Sequence, residues 1–576
     1  MNTVNERTNY EIAKEEADKI DAEIIDALKS GKSFRVEAGA GSGKTYSLNR
    51  TISWIDANRQ SEYRKKKQSV ICVTYTNTAV NVINERLSLN SPVLPSTIHS
   101  FAWNAIKQFQ GPIIRMVTED EELHPREGDI STAKTVQYTL GYRYIEKGIL
   151  YLHHNDVITL FARLLDNGKF RRIFANRFPV ILIDEYQDSF KQIIDKFIEY
   201  YIAESVGPQF GFFGDAWQTI YQSQNACGLI EHEKIIEIKK SSNFRSAPRI
   251  VEMLNFLRPE LPQISAIDDF IGDVSVITCD DYTGERRTDR NFKGDLPAEE
   301  IKDRLSNLTN YIKSKQIANN EDIKTLMITH RVLAAQQEYD GLFEILKDHL
   351  RDADDVFLLF FMDIIEPIYG ALSANNMQLL FDALKLKRYP IVSKTEKAKW
   401  NILKRSLGEA RSKRAIDVLD ISVKSGLIPI SQQVLDYYDL YYNNPDAVYG
   451  DTTIQSFLNL NYSQFRAAIN FLHPETEFST EHGVKGEEYD NVIFVISKGW
   501  NQYQFEKYAP MIKKGYSKDQ EQSYIRNRNL FYVCCSRPKK RLFFFVTVPI
   551  DVDFRDFLTQ LAGAQNIYTY DKYINQ

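Results

Sequence analysis

Ala38-Gly39-Ala40-Gly41-Ser42-Gly43-Lys44-Thr45 is the stretch on which the reading of this chain turns. It follows Phe34-Arg35-Val36-Glu37-Ala38, which reads as a short strand, and it opens a helix expected from Thr45 to about Ala57. A glycine-rich loop between strand and helix is the context a phosphate loop requires. Backbone N–H groups of such a loop and of the helix N-terminus can surround phosphate oxygens. Lys44 would then reach the β and γ phosphates, and Thr45 would ligate Mg²⁺. The first position is Ala38 where the general pattern has Gly. The Gly-Lys-Thr ending and the two flanks separate this loop from a chance run of glycines. The chain is expected to bind a nucleoside triphosphate and to hydrolyse it.

Working outward, the basic run Tyr63-Arg64-Lys65-Lys66-Lys67 reads as a solvated turn before a strand over residues 69–75, and a helix is expected over about 78–87. Continuous apolar runs at 178–183 and 210–213 read as buried strands of the parallel type. Strands and helices thus alternate from residue 34 to about 245, the pattern of an α/β domain with a parallel sheet. Residues 103–170 break the pattern, contain the acidic loop Glu119-Asp120-Glu121-Glu122, and read as a mostly helical insertion. A second α/β pattern begins with strands at 274–279 and 325–329 and resumes at 492–495 and 542–548. The helix-like stretch 340–472 lies between them as an insertion. The expected domains are 1–102 with 171–245, and 246–339 with 473–576, with insertions at 103–170 and 340–472. No internal sequence repeat and no low-complexity tract is visible.

Further motifs supply the rest of a hydrolytic site. In Ile181-Leu182-Ile183-Asp184-Glu185-Tyr186-Gln187-Asp188 an apolar strand ends in adjacent carboxylates. Asp184 suits Mg²⁺ binding, and Glu185 could polarise an attacking water. A surface turn would be the better reading of this pair alone; a phosphate loop upstream reverses the weight. In Phe213-Gly214-Asp215-Ala216-Trp217-Gln218-Thr219-Ile220-Tyr221, Gln218 could hold the γ-phosphate or the water. Arg245 in Asn243-Phe244-Arg245-Ser246 and Arg537 in Tyr532-Val533-Cys534-Cys535-Ser536-Arg537 are candidates to stabilise charge on the transferring phosphoryl group.

Composition sets bounds. A chain of 576 residues should fold as several domains. Its 43% hydrophobic and 26% charged residues are an ordinary globular balance. No stretch approaches the apolar length of a membrane span, and no apolar signal region follows the N-terminus, so a cytoplasmic protein is expected. The five cysteines (Cys72, Cys227, Cys279, Cys534 and Cys535) form no C-x-x-C pair and read as reduced thiols. A net charge of −5 argues against wholesale nucleic-acid binding but permits a local basic groove.

Taken in order, the segments resemble the superfamily 1 DNA helicases of the UvrD/Rep/PcrA type. The series runs from the glycine loop through Val73-Thr74-Tyr75-Thr76-Asn77, Thr97-Ile98-His99-Ser100-Phe101, Asp184 to Asp188, Gly214 to Tyr221 and Asn243 to Ser246. It closes with Thr480-Glu481-His482-Gly483-Val484-Lys485-Gly486-Glu487-Glu488 and Leu530 to Arg537. The resemblance implies two RecA-like P-loop NTPase domains with parallel sheets, each carrying a mostly helical insertion, with ATP and Mg²⁺ between them. It implies ATP-driven 3′-to-5′ movement on single-stranded or partly duplex DNA. By motif match, the cofactor set is Ala38, Gly39, Ala40, Gly41, Ser42, Gly43, Lys44 and Thr45, with Phe244 stacking on adenine and Glu488 at the ribose. Lys44, Asp184, Glu185, Gln218, Arg245 and Arg537 take the catalytic roles above, with Thr45 and Asp184 on the metal. Tyr75, Asn77, His99, Thr480 and His482 are the implied DNA contacts; an aromatic at 75 suits stacking by any unpaired base.

Departures from the family pattern are specific. Residues 1–59 contain no Gln of the kind that reads adenine and offer Asp21 and Glu23 in that region. Gln222-Ser223-Gln224 stands where a Trp-Arg pair is usual. Arg526 and Asn527 replace an acidic pair, and Glu487 replaces a Leu. Both insertions are short, and about 40 residues after Arg537 leave no room for a fused nuclease domain. Two function classes follow. One is a DNA-dependent ATPase that translocates on and unwinds DNA. The other is a nucleotide-controlled DNA-binding subunit working beside a separately encoded nuclease, as in antiphage systems such as Gabija, whose helicase-like subunit this chain resembles in size and motif order. A small-molecule kinase is disfavoured because it leaves the motifs after residue 470 unexplained.

Overall fold

Strands β1 (Phe34–Ala38), β2 (Val70–Thr74), β3 (Val93–Thr97), β4 (Val180–Asp184), β5 (Gln209–Gly214) and β6 (Ile236–Lys240) form a sheet in the order β3-β2-β4-β5-β1-β6 in the computed structural model. Every pairing in it is parallel. The structure describes residues 7–74, 77–139, 143–220, 226–315, 321–327, 333–334, 337–347, 349–350, 355–384, 393–450, 452–472, 478–480, 485–498 and 503–575. A second sheet contains β7 (Asp273–Thr278), β8 (Ile323–Met327), β9 (Phe478–Thr480), β10 (Tyr489–Ile496), β11 (Pro538–Val546) and β12 (Ile567–Thr569). Its order is β9-β8-β10-β11-β7-β12, again all parallel. Renumbered from its own first strand, the second sheet repeats the order of the first. The chain therefore builds the RecA-like α/β architecture twice, without a matching repeat in its sequence.

Both sheets are covered on both faces, so their central strands are largely apolar and buried even where β1 carries Arg35 and Glu37. Alternation still decides which core each side chain enters. Phe210 and Phe212 of β5 point to one cluster, with Phe101, Phe161, Phe174 and Phe197, while Phe213 joins the other with Ile24, Leu48 and Ile52. In β11, Leu542, Phe544 and Val546 face one side and Phe543 and Phe545 the other. The functional helices are α1 (Asn9–Ser30), α2 (Lys44–Lys65), α3 (Asn77–Asn84), α4 (Ile98–Ile106), α5 (Pro248–Leu257), α6 (Ala298–Lys315) and α7 (Glu521–Cys535). Thr8 and Glu11 form a capping box at the start of α1, and Gly31 ends it at φ +74°. Asp268, just ahead of β7, also accepts from the Asn9 and Tyr10 N–H groups.

Several expectations are corrected. Helix α2 runs on through Tyr63 to Lys65, because the Tyr63 ring is buried, so the basic run is a helix end rather than a free turn. The first insertion is not only helical: Thr135–Tyr138, Tyr144–Glu146 and Ile149–Leu152 form a small three-stranded sheet. Val356–Ser373 is, by length and composition, long and apolar enough to cross a membrane. Phe357, Leu358, Phe361, Ile365 and Ile368 from that stretch pack into the core of the second insertion. Glu366 within it is held by Arg411 and by the Tyr462 hydroxyl.

Gly214 closes β5 where no side chain fits. A Cβ there would stand 2.3 Å from Gln187 Oε1 and 2.4 Å from Tyr186 Cδ1. Gly214→Ala is expected to lower stability by about 1–3 kcal/mol through overpacking, read as a shift in the urea unfolding midpoint at unchanged slope.

Candidate functional site

Because every strand of the first sheet runs the same way, the loops after β1, β4 and β5 meet at one edge. The glycine loop turns there through Gly41 at φ +73° and Gly43 at φ +76°, conformations that a Cβ would strain. A Cβ at Gly41 would also lie 2.6 Å from Asn243 Oδ1. The loop is braced from behind. Asn243 Nδ2 and Gln263 Nε2 donate to the Ala40 carbonyl at 3.0 and 3.1 Å, and the Ala40 N–H donates to the Tyr532 hydroxyl at 3.3 Å. The Phe244 N–H donates to the Gly41 carbonyl at 2.8 Å. The Phe244 ring stays partly exposed beside the loop, edge-on to Tyr10 with centroids 6.5 Å apart.

Lys44 forms an ion pair with Glu185. Burial works against the Lys44 charge, but Glu185 and Asp184 outweigh it and raise its pKa. Burial pushes the Asp184 carboxyl up, while Lys44 and Lys485 hold Glu185 below the ordinary carboxylate range against the same burial. Gln187 Nε2 donates to Glu185 Oε2 at 2.5 Å and fixes the second oxygen. Glu185 itself takes φ 48°, a left-handed conformation unusual for a non-glycine residue. Asp184 Oδ1 is buried with no hydrogen-bond partner. Thr45 stands exposed at the start of α2. An orphaned carboxylate oxygen at the end of β4 and an exposed hydroxyl at the start of α2 are the donor types that fit a Mg²⁺ taking its remaining ligands from phosphate and water. Among the described residues no cluster of three or more His, Cys, Asp or Glu would hold a metal without those additional ligands.

The second sheet closes the site. Arg537, fully buried, donates from Nη2 to Gln218 Oε1 at 3.3 Å and from Nη1 to the Glu487 carbonyl at 3.1 Å. Burial, with Arg245 adding to it, lowers the Arg537 pKa to about 10. Arg245 Nε donates to Glu488 Oε2 at 2.8 Å, and its Nη1 reaches the Ser536 carbonyl. Gln218 is also fixed through its Nε2, which donates to Asp215 Oδ2 at 2.7 Å. Contacts thus join Lys44 to Glu185, Gln218 to Arg537 and Arg245 to Glu488 at the junction of the two sheets, with Glu488 engaged by Arg245 rather than open toward a ribose.

Two bridging residues escaped the sequence reading. Lys485 pairs with Asp188 and donates to the Gln218 carbonyl at 2.5 Å, joining the sheets. Both residues stand inside motifs quoted above, which was the available signal. Asp21, offered by the sequence near the base, is corrected. It is buried on α1 and occupied by Ser47, by Arg50 at 3.1 Å and by Lys240 at 3.5 Å, so it clasps α1 to α2 and β6. Glu23 stays exposed on α1.

Of the implied DNA contacts, Tyr75 and His482 lie outside the described residues. Asn77 opens α3 and Thr480 closes β9. His99 lies in the first turn of α4, its ring stacked on His154 with centroids 3.5 Å apart and Phe190 edge-on. Its Nε2 is buried without a hydrogen-bond partner.

Comparison with known proteins follows the same outline. Residues 21–224 match the family described as AAA domain, a span that takes in the glycine loop, both carboxylates and Gln218. The chain is 22% identical to the Gabija protein GajB of Bacillus cereus strain HuB5-5, over 92% of this chain and 95% of that protein. It is 23% identical to the Gabija protein GajB of Bacillus cereus strain VD045, over 94% of this chain and 98% of that protein. The likeness covers both sheets and both insertions.

Two outcomes are expected. Lys44→Ala should lower nucleotide hydrolysis at least 100-fold in a phosphate-release assay, since it removes a donor aimed at developing charge. For His99, burial and the neighbouring His154 depress the folded-state pKa to about 4. The unfolded value lies near 6.5, so the unfolded chain binds more protons between the two. Stability from this stack is present above about pH 6.5 and is lost as pH falls through about 4. The melting temperature should fall more over that range for the natural chain than for His99→Gln; parallel falls would remove His99 as the cause.

Proposed function

We propose that this chain hydrolyses ATP and uses the cycle to translocate on single-stranded DNA. The observation that carries the reading is the contact between Gln218 of the first domain and Arg537 of the second, with Glu185, the partner of Lys44, close enough to act on the Arg537 charge. A site divided between two sheets converts the presence or loss of a γ-phosphate into opening and closing of the pair. Glu185 stays ionised beside Lys44 and takes a proton from the attacking water. Water adds to the γ-phosphorus, the bond to the β-phosphate oxygen breaks, and ADP and inorganic phosphate leave. Arg245 reaches the phosphate by exchanging Glu488 for it, and Arg537 stabilises the same charge. Asp184 and Thr45 would hold a Mg²⁺, which would neutralise phosphate charge. Movement from 3′ to 5′ and contact through Tyr75, Asn77, His99, Thr480 and His482 come from the resemblance to UvrD/Rep-type helicases.

The two GajB relatives favour a more specific setting: a phage-defence complex in which a separately encoded nuclease works beside this chain. The short insertions and the missing Trp-Arg pair fit a motor whose unwinding is weak on its own.

Single-stranded DNA should raise the hydrolysis rate of the natural chain roughly tenfold or more, an effect of about 1.4 kcal/mol on the barrier. Tyr75→Ala and His482→Ala should lose that stimulation and keep basal hydrolysis. Equal rates with and without DNA in the natural chain would overturn the motor. Size-exclusion of the native assembly tests the complex: a protein that always runs alone sinks it.

A further inference from the structure

Arg258 follows the last residue of α5 and is 3% exposed. Its Nη1 donates to Asp215 Oδ1 and its Nη2 to Glu37 Oε1, each at 2.6 Å. Its guanidinium lies over the Trp217 ring at 5.3 Å and the Tyr532 ring at 5.7 Å. Outside the buried pair, Glu260 Oε1 stands 3.6 Å from Nε at the solvent rim. Each carboxylate is in turn a hub. Glu37 accepts from the Ala216 N–H at 3.0 Å and from the Tyr186 hydroxyl at 2.7 Å, with Arg35 Nε at 3.8 Å. Asp215 accepts from the Trp217 N–H at 3.0 Å and from Gln218 Nε2 at 2.7 Å. Tyr532 takes the Ala40 N–H of the glycine loop.

The geometry has a direction. Gln218 has one amide, and its two ends are claimed by Asp215 and by Arg537. Both partners are charged, and the Asp215 contact is the shorter, at 2.7 against 3.3 Å, so it sets the rotamer. Asp215 is fully buried, and Arg258 is its cationic partner among the described contacts. A buried carboxylate without that partner would shed its charge or turn away. Gln218 would then lose the anchor that aims its carbonyl across the crevice.

We propose that Arg258 is a positioning residue for γ-phosphate recognition, acting through Asp215 on Gln218 and holding the glycine loop and the Glu185 turn in register with it. This rests on the reading of Gln218 as the contact to the γ-phosphate or its water. Arg258 touches no nucleotide. It makes the first domain's phosphate sensor depend on a helix that leads into the second domain.

The test is a double-mutant cycle on the full chain, read as equilibrium binding of fluorescent ADP and of a β,γ-imido ATP analogue. Arg258→Lys keeps a cation but cannot span both carboxylates. It should lower the preference for the analogue over ADP about tenfold, the size of one charge-assisted hydrogen bond, with ADP affinity held within about twofold. Gln218→Ala should do the same, and the double variant should lose nothing further. If Arg258→Lys does not fold, as judged by circular dichroism, Asp215→Asn carries the same cycle, since it presents a donor to Gln218 Nε2. Equal losses for both nucleotides, additive losses in the double variant, or a natural chain that does not distinguish the two nucleotides would overturn the proposal. The ratio is read without turnover, so failure of DNA stimulation sinks the motor reading and not this one.

Discussion

All strand pairings in the two large sheets are parallel, and that constraint organises everything else. Parallel strands deliver their carboxyl ends to one edge, and the loops that leave them cannot avoid one another. The first sheet places a lysine, two carboxylates and an amide at that edge. The second sheet, with the same strand order, brings an arginine and a glutamate to face them. Desolvation at this junction makes each charge costly alone, so the groups are found in pairs: Lys44 with Glu185, Lys485 with Asp188, Arg245 with Glu488. On the proposed reading, a nucleotide entering the crevice exchanges partners with these pairs, which makes binding and domain rearrangement one event.

A second layer of charge lies beneath the first. Glu37, Asp215 and Arg258 form no part of the phosphate surface, yet they set where Gln218 and the turn after β4 can sit. Asp21 with Lys240, Ser47 and Arg50 plays the corresponding part for the start of α2. Such buried networks hold polar groups in one arrangement, because any alternative leaves an unpaired charge out of water.

The central strands β4 and β5 were legible as apolar runs buried on both faces, and β1 as the short strand that runs into the glycine loop; all three fall where the sequence places them. The edges were not. β3 carries Pro95, tolerated only where a strand lacks a neighbour on one side, and β6 alternates charge with Ile, so neither shows a continuous run. β9 and β12 are three residues each, too short for a pattern. The small sheet of the first insertion was hidden because its strands are only three or four residues long. At the site, groups borne on motifs were visible; Arg258 was not, since a single arginine after a helix has no local signature. Its partner Glu37 did leave a trace, a carboxylate and Arg35 on alternate positions of a strand that is otherwise apolar.

The crevice draws its first group, Lys44, from near the start of the chain and its last, Arg537, from near the other end. During synthesis the glycine loop and its sheet are complete long before β11, the strand that follows Arg537, can pair. A ribosome-bound or prematurely terminated product therefore carries a phosphate cradle without the arginine that completes it.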